Sequence, residues 1–154
     1  MTTTSTGRIE GTARPYRVFI SYSSGDRIVA KPIAKQLEER GAIVFLDHDR
    51  LEYGERFREV ILPEIARSDE LLVILTPAAL RRAWIFAEIG VALHSGIRIV
   101  AVLYAGATVE SLKQVGALSL IGDVHNVMDP NRLEDRLDEY YEQVTVRVVE
   151  RQGT

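Results

Sequence analysis

The chain has 154 residues, 19 Lys plus Arg against 22 Asp plus Glu, a formal net charge of -3, 46% hydrophobic residues and no cysteine. A chain of this length buries about 68–70% of its unfolded surface, enough for one hydrophobic core but not for two. Zero cysteine excludes a disulfide scaffold, Cys-ligated zinc and a thiol nucleophile, and the interspersed charges offer no basic stripe to neutralise a phosphate backbone, so nucleic acid is not an expected partner.

Met1 to Gly7 is a Thr/Ser stretch without the apolar segment of a secretory signal, and residues 1–15 read as a flexible arm ahead of one domain over 16–151. The longest apolar run, Ile99 to Ala105, falls far short of the roughly 18 residues of a membrane span. A cytoplasmic location with no membrane partner is therefore expected.

From Arg17 the pattern alternates strand and helix. Arg17 to Ser21 is a β-branched and aromatic strand, followed by Tyr22-Ser23-Ser24-Gly25-Asp26, a loop rich in helix-capping residues. Val29, Ile33 and Leu37 then repeat at helical spacing up to Gly41, placed where a helix end favours glycine. Pro32 either kinks this helix or marks its first turn. Ile43 to Leu46 is a second strand, followed by a long charged loop, Asp47 to Gly54. Phe57, Ile61 and Ile65 predict the second helix, and Leu71 to Leu75 a third strand stopped by Thr76-Pro77. A third helix turns Ile85, Ile89, Ala92 and Leu93 inward until Gly96, and Ile99 to Leu103 is the fourth strand. After a less regular, glycine-containing stretch, Val124 to Met128 reads as a short fifth strand. Asp129-Pro130 fits the start of a final helix with Leu133, Leu137, Tyr141, Val144 and Val148 on one stripe.

Strands that are apolar throughout are buried on both faces, so the expected fold class is α/β, flavodoxin-like and doubly wound, with a mainly parallel five-stranded sheet flanked by helices. Ligands of such sheets sit beyond the carboxyl ends of the strands at the topological switch point. That nominates the loops after Ser21, Leu46 and Leu75 and the start of the third helix. The glycine signatures of dinucleotide-binding and P-loop folds are missing. The acidic positions of a phospho-receiver read Ser21-Tyr22-Ser23 and Thr76-Pro77 here. His48, His94 and His125 lie on separate elements without a second ligand at metal spacing, so no metal is expected.

The informative constellation is Trp84-Ile85-Phe86-Ala87-Glu88. Residues four apart share a helical face, which sets Trp84 and Glu88 side by side next to the inward stripe. The residues alone leave two readings. A carboxylate beside an indole can stabilise positive charge developing at a sugar anomeric carbon. Alternatively, Trp84 is core and Glu88 pairs with Arg81 or Arg82.

Arg17-Val18-Phe19-Ile20-Ser21-Tyr22, then Val44-Phe45-Leu46-Asp47 with Leu51-Glu52-Tyr53-Gly54, then Val73-Ile74-Leu75-Thr76-Pro77, then Trp84 and Glu88, resemble in order the signature boxes of Toll/interleukin-1 receptor (TIR) domains. The resemblance covers residues 17 to about 105 and takes in the final helix more loosely. It is nearest to compact bacterial TIR domains, many of which cleave NAD⁺ and release nicotinamide with ADP-ribose or a cyclic ADP-ribose isomer. It implies Glu88 as the catalytic residue, with Tyr22, Ser23, Asp47, Arg50 and Trp84 lining the NAD⁺ site. NAD⁺ would be the substrate, with no cofactor. Two departures stand out: Arg82 replaces a Ser frequent two residues before the Trp, and Glu52-Tyr53-Gly54 replaces a frequent Pro-Gly. The resemblance further implies self-association into an oligomer or filament and a role in antiphage defence, and the length of the chain adds the expectation of a separately encoded sensor or effector. The alternatives are a non-catalytic TIR–TIR adaptor and, less favoured, a nucleoside deoxyribosyltransferase-like enzyme.

Overall fold

In the computed structural model, residues 14–46, 57–116, 118–127 and 129–153 are described. The apolar runs form four strands, β1 (Arg17–Ser21), β2 (Ile43–Leu46), β3 (Glu70–Leu75) and β4 (Arg98–Leu103), and a fifth, β5 (Asp123–Asn126), carries a single apolar residue, Val124. Between them lie α1 (Arg27–Glu39), a π-helical turn (Phe57–Ile61) running into α2 (Leu62–Arg67), α3 (Ala83–Ser95) and α4 (Val109–Gln114), with α5 (Leu133–Gln152) closing the chain. The sheet has the order β2-β1-β3-β4-β5 and every pairing is parallel.

Alternation along the central strands divides the core in two. Val18 and Ile20 of β1, Leu72 and Ile74 of β3, and Val100 and Val102 of β4 face α1 and α5. Phe19, Leu71, Val73, Leu75, Ile99, Ala101 and Leu103 face α2, α3 and α4. Phe19 lies opposite both Phe45 and Leu71, and its ring stacks on that of Phe45 at 5.0 Å and 16°. No helix among the described residues is long and apolar enough to cross a membrane.

Several boundaries differ from the sequence reading. Pro32 lies inside α1 rather than at its first turn, which starts at Arg27 after a 3-10 turn over Ser24–Asp26. The strand β5 begins one residue early, at Asp123, and Met128 lies outside the described residues, as do residues 1–13 of the expected arm and the 47–56 loop. Asp129 does cap, accepting the Asn131 N–H at 3.0 Å, but it caps a 3-10 turn (Pro130–Arg132) that leads into α5. Leu93 is 50% exposed rather than inward. At about 100° per residue, Ile85, Ile89 and Ala92 define an arc that leaves Leu93 about 80° from Ile85 on its outer side. The same phase draws Glu88 inward, and it is fully buried.

Helix ends follow glycine where the backbone turns left-handed. Gly96 (φ +73°) ends α3, with the Ile97 N–H returning to the Ala92 carbonyl at 3.2 Å. Gly41 (φ +98°) does the same after α1, directly beneath Val148 of α5.

At the amino end of the sheet a second carboxylate is buried. Glu70, the first residue of β3, accepts hydrogen bonds from the hydroxyls of Tyr16 (2.7 Å) and Tyr140 (2.5 Å) and from Arg147 Nη1 (2.7 Å). The adjacent Asp69 accepts the Arg17 N–H at 2.8 Å and pairs with Arg151. These bonds tie α5 to the start of β1 and β3. Burial, and then the Glu70 charge, push the Tyr16 and Tyr140 hydroxyls well above the ordinary phenol range, so both stay protonated donors.

Candidate functional site at the carboxyl end of the sheet

The chain leaves β1 toward β2 on one side and returns as β3 on the other, so the switch point lies between the carboxyl ends of β1 and β3. Ser21 ends β1 in register with Val73. It shares a strand face with Phe19 and therefore points toward α3. There its hydroxyl donates to Glu88 Oε1 at 2.5 Å, and both side chains are fully buried. An ionised carboxylate in such a place is costly unless it accepts hydrogen bonds, and the strand end supplies one.

The loops on either side of the switch point are tied together. Thr76, immediately after β3, donates from Oγ1 to Asp26 Oδ2 at 2.6 Å and accepts the Ala79 N–H at 3.1 Å. The loop after β1 is thereby held to the loop that leads into α3. Trp84 is half-buried at the margin of the α2/α3 core, one turn before Glu88, and the Arg82 guanidinium lies 5.6 Å from the centre of its ring. Arg81 and Arg82 are both exposed.

Two cavities among the described residues lie away from Glu88. One of about 480 Å³ at the amino end of the sheet is lined by Tyr16, Asp69, Arg98, Arg147 and Arg151. An apolar groove of about 500 Å³ runs between α2 and α3 past Leu62, Ala66, Ala87, Gly90 and Val91. Glu88 opens into neither, so in this conformation its carboxylate is enclosed.

Residues 18–137 match the TIR domain family. The chain belongs to that family. Among solved structures, this TIR domain is similar to the TIR domain of the Toll-related receptor TRR-2 from Hydra magnipapillata, at 20% identity and a TM-score of 0.59, with 82% of this chain and 96% of that chain covered. It is also similar to the CMP N-glycosidase BcmB of Clostridium botulinum, at 17% identity and a TM-score of 0.60 over 80% of this chain and 98% of that one. The sugar isomerase domain of the RpiR transcription factor from Sphaerobacter thermophilus follows, at 15% identity and a TM-score of 0.59 over 92% and 76%. At these identities the likenesses show a shared fold. No curated protein sequence matches the chain.

Within the TIR domain, the residues expected at the site are placed unequally. Trp84 and Glu88 share one face of α3 as their spacing requires. Ser23 is buried and opens the turn into α1, its carbonyl accepting the Asp26 N–H at 2.7 Å. Tyr22 follows Ile20 in pointing to the opposite side of the sheet, and it packs in the α1/α5 core. Asp47 and Arg50 lie outside the described residues. Three participants were not singled out by sequence: Ser21, Asp26 and Thr76. A hydroxyl residue ending an otherwise apolar strand, and another directly after the next strand, is the signal that marks the first and last of them.

His94 is exposed on α3, and His125 on β5 lies against α5, its ring 5.3 Å from that of Tyr140. Burial lowers the His125 pKa, and Arg147 lowers it further against the opposing pull of Glu139, Asp123 and Glu70. His48 lies outside the described residues.

Proposed function

We propose that this TIR domain cleaves NAD⁺ at the bond between nicotinamide and ribose, with Glu88 as the catalytic carboxylate. The observation that carries the reading is the placement of Glu88: buried at the carboxyl end of the switch point, hydrogen-bonded by Ser21 and one helical turn from Trp84. The bond from the ribosyl C1′ to the pyridinium nitrogen breaks, and its electron pair leaves with nicotinamide as a neutral molecule. No proton has to be delivered to that leaving group. Positive charge develops at C1′ and is stabilised by the carboxylate. Water attacking C1′ and losing a proton gives ADP-ribose. Attack by a nucleophile of the substrate's own adenine or ribose gives a cyclic isomer. Trp84 and Ser23, with Asp47 and Arg50, are assigned to substrate binding, while Tyr22, packed in the α1/α5 core on the other side of the sheet, is assigned to the scaffold of the loop rather than to contact with substrate. A neighbour in fold is itself an N-glycosidase, which is consistent with such chemistry on this sheet.

TIR domains commonly self-associate, and we assign full activity to an assembled form, in a cytoplasmic role in bacterial antiphage signalling that includes a separate sensor or effector. The second reading, a non-catalytic TIR–TIR interaction module, is favoured by one observation: Glu88 is enclosed in this conformation. The two separate on nicotinamide release from NAD⁺ by concentrated wild type and Glu88→Ala, with products resolved by chromatography and mass spectrometry. The catalytic reading expects release by wild type and a loss of about 10²–10³ or more in kcat for the variant. No release by wild type in concentrated and crowded assemblies supports the interaction module instead, and equal turnover by both removes Glu88 from the catalytic role.

A further inference from the structure

We infer that Ser21 is a positioning residue for Glu88, its hydroxyl fixing the carboxylate in one orientation at the mouth of β1 and β3. The inference rests on the NAD⁺-cleaving reading above for its kinetic consequence, and on geometry alone for its structural one.

The parity of β1 makes Ser21 anomalous as a core residue. Its row on the α3 side of the sheet is otherwise apolar, with Phe19 two residues earlier and Val73 and Leu75 on the neighbouring strand, all fully buried. A hydroxyl in such a row costs free energy unless it is bonded, and serine has no strand preference to recommend it there. What the hydroxyl does in that row is donate to Glu88 Oε1 at 2.5 Å across 67 residues of sequence. The donor is rigid, because Ser21 has a single side-chain torsion and its backbone is paired in register with β3. The acceptor is not, since a glutamate has three torsions to fix. A short side chain anchored in the sheet therefore sets where a long one from α3 comes to rest. For electrostatic stabilisation at C1′ the distance from carboxylate to reacting carbon is decisive, and a misplacement of about 1 Å can cost about a hundredfold in rate. Thr76 and Asp26 hold the neighbouring loops together at the same mouth. Ser21 differs from them in reaching the carboxylate itself.

The test uses the full chain with Ser21→Ala and Ser21→Thr, each checked for a wild-type thermal transition. Two quantities are read: kcat and KM for NAD⁺, and the order of the Glu88 side chain from NMR relaxation at its Cγ in substrate-free protein. In Ser21→Ala, kcat should fall about ten- to a hundredfold, the worth of one hydrogen bond to a charged group, with KM within about twofold. The order at Glu88 should fall with it. Ser21→Thr, which keeps the hydroxyl, should recover most of both. Unchanged order in Ser21→Ala overturns the inference whatever the kinetics, and so does an equal loss in both variants, which would mark the site as steric. If wild type cleaves no NAD⁺ while Glu88 loosens in Ser21→Ala, the cleavage reading fails and the positioning role stands. If wild type cleaves NAD⁺ and Ser21→Ala matches it in kcat and order, the reverse holds.

Discussion

Replacing Arg147 by Met removes a cation from a carboxylate that has no access to water. Glu70 is fully buried, and Arg147, only 13% exposed, meets it at 2.7 Å. Breaking a buried pair by deleting one partner costs about 3–5 kcal/mol, because the remaining charge is left in a poor solvent. Here the tyrosine hydroxyls of Tyr16 and Tyr140 still donate to Glu70, which places the expected loss near the lower end, about 3 kcal/mol. The second contact of Arg147, to Asp123 at 3.9 Å, adds less than about 1 kcal/mol because Asp123 is 43% exposed. Met preserves most of the apolar stem, so lost packing contributes little. In a chain of 154 residues each kcal/mol moves the melting temperature by about 2–4 °C, giving a fall of about 6–12 °C. Urea unfolding measures the loss directly, with an unchanged m-value showing that the native and denatured states are otherwise the same. The double variant Glu70→Gln/Arg147→Met removes the charge together with its partner while leaving an amide oxygen for the tyrosines, and should be more stable than the summed single losses by about 1.5 kcal/mol or more. A loss below about 1 kcal/mol for Arg147→Met, or strict additivity in the double variant, would refute the claim that this pair is energetically coupled.

Two further outcomes follow from the backbone and from His125, half-buried on the sheet edge. Burial lowers the His125 pKa in the folded chain, so the neutral ring favours the native state; that contribution is complete above about pH 6.5 and is lost as pH falls through the lower folded value. Below about pH 6.5, wild type should therefore lose up to about 1.4 kcal/mol per pH unit relative to His125→Phe until the folded pKa is passed, and parallel stability curves for the two would contradict the assignment. Gly41→Ala should cost more than Gly96→Ala. Both glycines have positive φ and share a strain of about 1–2 kcal/mol, but a Cβ at Gly41 would stand 3.1 Å from Val148 Cγ1 whereas one at Gly96 meets nothing within 4 Å; equal losses by urea titration would remove the close approach of α1 and α5 from the explanation.

The strands were legible because fully buried parallel strands need no alternation, and the runs Val18 to Ile20, Leu71 to Leu75 and Ile99 to Leu103 are core in both senses. The departures have separate causes. Counting four residues from Ile89 turns Leu93 inward, yet the helix turns in 3.6, and the buried arc runs on the Glu88 side of α3 instead. A charge ahead of an apolar run looks like a boundary, so Glu70 reads as lying outside β3, and the three groups that make its burial tolerable come from 54, 70 and 77 residues away. The short helix α4 carries a weak sequence signal because its capping box, Thr108 with Ser111, puts a serine where glutamate or glutamine is the usual signal.

Half of the candidate site could be read and half could not, for a related reason. Trp84 and Glu88 lie on one helix, and their spacing alone places them together. Ser21 meets Glu88 only after two facts that a sequence does not display: that β1 and β3 are neighbours, and that the parity of β1 turns Ser21, not Tyr22, toward α3. Burial cannot by itself say which acid matters, since Glu70 and Glu88 are equally inaccessible. Their position on the sheet separates them. Glu70 sits at the amino end of β3, where tyrosine and arginine side chains from α5 lock it to the scaffold. Glu88 reaches the carboxyl end of β1, at the switch point where parallel sheets present their ligands. If that division is right, substitutions around Glu70 change the melting temperature and leave turnover intact well below the transition, while Glu88 and Ser21 govern turnover.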